Sequence, residues 1–181
     1  MNDAMLDLET LGLTPGSAIL SIGAVQFSIP ECKLGAMFYV NIEPKSCLLA
    51  GLTRDEATMA WWGRKSQAAK DALLVDRVPL REALVRFGNY LEDMGIHRER
   101  KVWGNGPNFD NAILAHAYKA LRLPVPWPYW GDRCFRTIKG MYAAIPMGAR
   151  QGTHHNSLDD AVYQAEHILN IKRTTMAKRH A

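Results

Sequence analysis

With 181 residues, of which 48% are hydrophobic and 22% charged, the chain can bury one continuous core and is too apolar for a disordered polymer. Its formal charge of +4 is mild for a nucleic-acid binder and selects no partner by itself. It has no uncharged apolar run of about 18 residues, no basic segment leading into an apolar stretch at the N-terminus, and three widely spaced cysteines (Cys32, Cys47, Cys134) that suit reduced thiols, so a soluble, cytoplasmic protein without membrane attachment is expected.

Ala4 to Thr10 reads as a short buried strand and Ala18 to Ile29 as a longer one, joined by a turn at Gly12, Pro15 and Gly16. A third strand, Ala36 to Ile42, follows a break at Pro30 and Gly35, which predicts an antiparallel meander over the first third. Helical patterning then takes over. Arg64 to Leu74 is compatible with a helix, and Pro79 opens a clearer one with Leu80, Leu84, Phe87 and Leu91 on one face, ended by Gly95. Lys101 to Gly104 is a short strand candidate, followed by a Gly-Pro turn and a helix from about Asn108 to Leu121. A Pro/Trp-rich loop (Pro124 to Trp130), a helix near Asp132 to Tyr142 and a last helix from Ser157 to Ile171 complete the chain. Strands first, then helices alternating with a further strand, predict an α/β fold with a mixed sheet flanked by helices. A single domain is expected over 1–175, with a basic tail at 176–181.

Three short motifs carry chemistry. Asp7-Leu8-Glu9 lies on the first strand, where the two-residue repeat puts both acids on one face and Leu8 on the other. Carboxylates held so close repel, raising a pKa or recruiting a cation, and hard oxygen ligands suit Mg²⁺ or Mn²⁺. Asn108-Phe109-Asp110 opens a helix, with Asn108 a natural N-cap and Asp110 at the positive helix end. His155 stands five residues before Asp160, with Ser157 able to cap the helix that carries the acid. Each motif alone also reads as ordinary structure: a solvated strand face, a helix-stabilising first-turn acid, or a capping box beside a loop histidine.

Taken together and in this order, DLET, NFD and H-x-x-x-x-D resemble the DEDDh exonuclease superfamily over nearly the whole chain. The resemblance implies the RNase H-like fold and removal of nucleotides from 3′ ends with two divalent ions. By its pattern Asp7, Glu9, Asp110 and Asp160 are metal ligands and His155 is the general base. Asp7 bridges the ions, Glu9 and Asp160 complete the water-activating position, and Asp110 holds the second ion. A histidine with an ordinary pKa near 6.5 suits a base near neutral pH. Gly51-Leu52 through Trp61-Trp62, with Trp103-Gly-Asn-Gly-Pro, is similar to the exonuclease VIII-like group of small phage and bacterial nucleases. An extra residue between Asn105 and Asp110 departs from many DEDDh enzymes and leaves Asn105 without an assigned role.

The implied substrate is single-stranded DNA or RNA with a free 3′ end, the product a nucleoside 5′-monophosphate; a homo-oligomer is left open. Gathering the four acids in one pocket would leave the rest of the surface at +8, attractive to a polyanion. Arg133, Arg136, Lys139, Lys172, Arg173, Lys178 and Arg179 are candidates to meet phosphates, and Thr10 and Leu11 to touch the terminal nucleotide. Trp61 and Trp62 could stack a base, but a tryptophan pair is more often core, and neither is assigned to the site. Two other classes compete: a nucleic-acid-binding accessory module of the same fold with weak catalysis, and another phosphoryl-transfer enzyme such as an endonuclease or a small-nucleotide phosphodiesterase.

Overall fold

Apolar alternation in the first third produces three strands, β1 (Asp3–Thr10), β2 (Ile19–Ser28) and β3 (Lys33–Asn41), paired antiparallel as a meander. The computed structural model of the protein describes residues 1–106 and 108–177. On the other edge of β1, β4 (Lys101–Gly104) and β5 (Asp132–Cys134) add in parallel, giving one five-stranded mixed sheet of order β3-β2-β1-β4-β5. Seven helices accompany it among the described residues: α1 (Pro44–Leu49), α2 (Glu56–Gly63), α3 (Gln67–Ala72), α4 (Leu80–Glu92), α5 (Asp110–Ala120), α6 (Phe135–Met141) and α7 (Ser157–Ala177). None is long and apolar enough to cross a membrane.

The strand period divides β1 between two cores. Ala4, Leu6 and Leu8 pack with Ile22 and Ala24 of β2 against Leu80, Leu84 and Phe87 of α4 and Ile113 and Leu114 of α5. Met5 faces the opposite way, with Val25, Phe27 and Trp103, under Ala161, Ala165, Ile168 and Leu169 of α7. Asp7 and Glu9 share Met5's side. Burying side chains such as Ile168 and Leu169 contributes about 1.5–3 kcal/mol each, enough to hold α7 along the sheet.

Close backbone approach fixes where α7 begins. Gly23 is the cross-strand partner of Asp7, and a Cβ there would stand 2.2 Å from the backbone of Ser157 and Leu158. Beside it the hydroxyls of Ser21, partner of Glu9, and Ser157 meet at 2.9 Å. The first turn of α7 therefore lies directly over the two acids of β1.

Several boundaries differ from expectation, each for a local reason. The helix predicted from Arg64 to Leu74 is shorter: α2 ends at Gly63, just before it, and within it only Gln67–Ala72 is helical, as α3. Asp55 accepts the Thr58 N–H at 2.7 Å to start α2, and Ser66 accepts the Ala69 N–H at 3.3 Å to start α3. Residues 132–134, expected to open a helix, form β5, because the exposed edge of β4 supplies a partner that a three-residue segment cannot advertise. Phe109, not Asn108, precedes the first turn of α5, without a side-chain cap. At α7, Asn156 accepts the N–H groups of Leu158 and Asp159 at 3.1 and 3.2 Å, so Asn156 caps in place of Ser157. β3 begins at Lys33 and includes Gly35, and α7 continues past Ile171 through Ala177, into the expected tail. Pro107 of the Gly-Pro turn and residues 178–181, with Lys178 and Arg179, lie outside the described residues.

Candidate active site

Four carboxylates and one imidazole from three separate elements and a loop line a single cavity of about 630 Å³: Asp7 and Glu9 of β1, Asp110 at the start of α5, Asp160 in the first turn of α7, and His155 in the loop just before that helix. Asp110 is buried. Its two oxygens accept the N–H of Leu8 at 3.1 Å and of Asn105 at 2.6 Å, tying α5 to the ends of β1 and β4. Gly104 permits that approach, since a Cβ there would meet Asn111 at 2.5 Å and Asp110 at 3.0 Å. Asp7 accepts a hydrogen bond from Gln164 Nε2 of α7 at 2.8 Å. Glu9, His155 and Asp160 each place a ligand atom within 4.8 Å of the other two.

Neighbouring pairs in the third motif separate clearly. Asp159 turns to the preceding loop, accepting the Thr153 N–H at 2.7 Å and packing where a side chain on Gly152 would stand. Asp160 turns to the cavity, where it accepts hydrogen bonds from Arg150, one of them at 2.7 Å from Nη1. His155 lines the cavity with φ +65°, and His154 beside it is exposed.

Burial first, and for Asp7 and Glu9 crowding of like charge second, shows in the protonation energetics. Burial, then the charge of Asp110, pushes the Glu9 carboxyl up to about 8, against a smaller pull from Lys65. Burial raises Asp110 to about 6 despite the N–H bonds from Asn105 and Leu8 and the charge of Arg136. Asp7 is raised well above the carboxylate range by burial and then by Asp110 and Glu9. His155 is lowered to about 4, first by burial and then by His154, Lys65 and Arg150, so it is neutral at pH 7 but a weaker base than the ordinary value near 6.5 expected from the sequence.

These shifts give stability an unusual pH sign. Below the ordinary glutamate value of 4.5 the stabilisation from a neutral Glu9 is fully present, and it is lost as pH rises through about 8. The melting temperature in EDTA should therefore fall from about pH 5 to about pH 8.5, and Glu9→Gln should flatten the fall. Millimolar Mg²⁺ or Mn²⁺ should restore stability at the upper end, because an ion would replace the protons. A melting temperature in EDTA that rises over this interval would overturn the raised pKa of Glu9.

Such a cluster fits divalent ions: excess negative charge on hard oxygens, with a buried Gln164 Oε1 beside Asp7 that has no hydrogen-bond partner among the described residues.

Opposite the acids, Trp62 donates its indole N–H to Thr10 O at 2.9 Å and pins α2 to the end of β1. Trp61 packs edge-on to it at 5.2 Å, and the His155 ring meets Trp61 at 4.8 Å. Both tryptophans line the cavity, although nothing in a Trp-Trp pair distinguishes a cavity wall from core. Gln164 and Arg150 were equally invisible, being polar residues without a motif. Of the basic candidates, Arg136 lines the cavity and is held by the Asn105 carbonyl at 2.7 Å; Arg133 and Lys139 are not among the lining residues. Thr10 lines it too, whereas Leu11 packs into the core. The three cysteines are free.

A family model described as the 3'-5' exoribonuclease Rv2179c-like domain matches residues 2–172. No curated protein sequence matches the chain. Among solved structures, the nuclease domain of 3'hExo, a DEDDh family member bound to rAMP, is similar at TM-score 0.64 and 14% identity, over 95% of this chain and 92% of that one. Exonuclease X in complex with 5′ overhanging duplex DNA gives 0.56 and 16%, over 96% and 93%. The zinc-bound E. coli ExoI–ssDNA complex gives 0.59 and 12%, over 97% of this chain and 40% of that one. At such identities the likeness is one of fold, and it bears out the RNase H-like, DEDDh-type mixed sheet with flanking helices.

Proposed function

The chain belongs to the Rv2179c-like 3'-5' exoribonuclease domain family and is a 3'-5' exonuclease, and from that premise we propose that it trims single-stranded RNA with Asp7, Glu9, Asp110, Asp160 and His155 as its working residues. The observation that carries this reading is the convergence of those five side chains, from three elements and a loop, in one cavity. Asp7, close enough to both Asp110 and Glu9 to feel their charge, would hold both of two Mg²⁺ or Mn²⁺ ions. Glu9 and Asp160 would complete one site and Asp110 the other. Bound there, the ions would lower the pKa of a water and offset charge on the phosphate.

The remaining work falls to the chain. Neutral His155 accepts the proton of the attacking water, whose oxygen forms the new bond to phosphorus while the bond from phosphorus to the 3′ oxygen of the preceding nucleotide breaks. The departing 3′ oxygen takes a proton from solvent water, so the terminal residue leaves as a nucleoside 5′-monophosphate and the shortened strand keeps a 3′ hydroxyl. Trp61, edge-on to His155, would bound the terminal base, and Arg136 at the cavity wall would meet a phosphate. RNA is favoured by the family's description. The three free cysteines support a cytoplasmic setting. A relation to the exonuclease VIII-like group rests on the tryptophan segments alone.

Linear RNA labelled in its 3′-terminal nucleotide, the same RNA circularised, and a matched DNA strand, each with Mg²⁺ or Mn²⁺, test this directly. Linear RNA should yield labelled nucleoside 5′-monophosphate from the first time points, while the circle stays whole and DNA is degraded more slowly. Cutting of the circle would mean an endonuclease, attack on dinucleotides alone would mean a small-nucleotide phosphodiesterase, and binding without release would mean an accessory module.

A further inference from the structure

Arg150 enters the site from the loop between α6 and α7, and no motif accounts for it. The loop is fastened to the start of α7 at two other points: Tyr163 donates its hydroxyl to the Gly148 carbonyl at 3.0 Å, and Asp159 accepts the Thr153 N–H at 2.7 Å. Between these ties the guanidinium carbon lies 4.9 Å from the Tyr163 ring centroid, which orients the group toward Asp160. Both terminal nitrogens then donate to one oxygen, Asp160 Oδ1, while the buried Nε has no hydrogen-bond partner among the described residues. A guanidinium is best satisfied when two parallel N–H groups meet two oxygens, the pattern a carboxylate or a phosphodiester offers. Here one oxygen takes both donors and a third donor is idle, so the group is held in place with hydrogen-bonding capacity left over.

We propose that Arg150 is a substrate-phosphate ligand that competes with a divalent ion for Asp160. The inference rests on the exonuclease reading of the same site. A guanidinium and a cation cannot both take Asp160 Oδ1 at full strength, because each brings positive charge to the same lone pairs. Arg150 therefore weakens ion binding until an RNA phosphate draws it away, and the phosphate gains a bidentate partner as Asp160 is released. By linkage, nucleotide and ion each favour the binding of the other, and the coupling passes through this one side chain.

Three measurements on the full chain decide the matter: Mn²⁺ binding by calorimetry without nucleotide, AMP binding in EDTA, and melting temperature as a check on folding. Arg150→Ala and Arg150→Gln should bind Mn²⁺ about tenfold more tightly than the parent, within the usual range of such couplings, with Arg150→Lys between them. The same alanine and glutamine variants should bind AMP about tenfold more weakly in EDTA, since a charge-assisted phosphate contact is lost. Unchanged or weaker Mn²⁺ binding, or unchanged AMP binding, overturns the proposal; should the alanine variant fail to fold, the glutamine and lysine variants are measured in its place against the same two criteria. Asp160→Asn separates this from the broader reading. If that variant keeps the parent's Mn²⁺ affinity, the ion site itself is misassigned; if it loses Mn²⁺ while Arg150→Gln gains nothing, only the role of Arg150 is wrong.

Discussion

Asp7→Asn is expected to abolish hydrolysis, by about 10³ or more in kcat, while the folded protein becomes no less stable; at about 1.4 kcal/mol per tenfold this is a loss of about 4 kcal/mol of transition-state stabilisation. The reason lies in its position. Burial and then the charges of Asp110 and Glu9 oppose ionisation of Asp7 more than the hydrogen bond from Gln164 and the charge of Arg150 favour it, so without a cation its charge is held against its surroundings. An asparagine fills the same space, its amide oxygen still accepts from Gln164, and one negative charge leaves the cluster. The melting temperature in EDTA at about pH 8 should therefore hold or rise, because repulsion among the remaining acids falls. Steady-state release of nucleotide, paired with thermal melting, reads both effects. A variant keeping more than about a tenth of the activity would remove Asp7 from any bridging position, since that role should be worth several kcal/mol.

The second large effect concerns two adjacent histidines. His155→Ala should lower kcat by about 10² to 10⁴, the usual contribution of a general base, with ion binding largely kept by the carboxylates. His154→Ala should change little, because His154 is exposed and does not line the cavity, although its ring packs against His155 at 4.0 Å between centroids. With the His155 pKa held down near 4, the base is already neutral through the acid range, so activity lost as pH falls should follow protons competing with the ions for the carboxylates instead, and should be offset by raising the ion concentration. The opposite ranking of the two variants would transfer the roles to His154 and Asp159, and would need the loop tie from Asp159 to Thr153 to break.

The chain's local order was legible where one period dominated. Alternation in β1 to β3 gave the meander, and the same alternation put Asp7 and Glu9 on one face, because side-chain direction in a strand follows from spacing alone. The amphipathic face of α4 was equally plain, with Leu80, Leu84, Phe87 and Leu91 all buried. Short elements were not. α1, α2, α3 and β5 run three to eight residues, too few for a period to stand out, and their ends are set by caps and by strand edges far away in sequence.

For the site, the motif residues could be named from the sequence, but not what surrounds them. Choosing Asp160 over Asp159 rested on a family pattern, since on a helix neighbouring residues differ by about 100° and amphipathicity left both open. In three dimensions the choice follows from Gly23 and Ser21, which seat the first turn of α7 over Asp7 and Glu9, and from Thr153, which takes Asp159 away. The tryptophan wall, the Gln164 contact and the Arg150 hold on Asp160 likewise emerge from the fold alone. Chain order dictates which groups can bear charge and on which side of a strand they lie, because that depends on covalent spacing. Which charges meet, and hence how far their pKa values shift and what they can bind, is settled by folding, because Coulomb energy and desolvation depend on distance and burial that chain order does not encode locally.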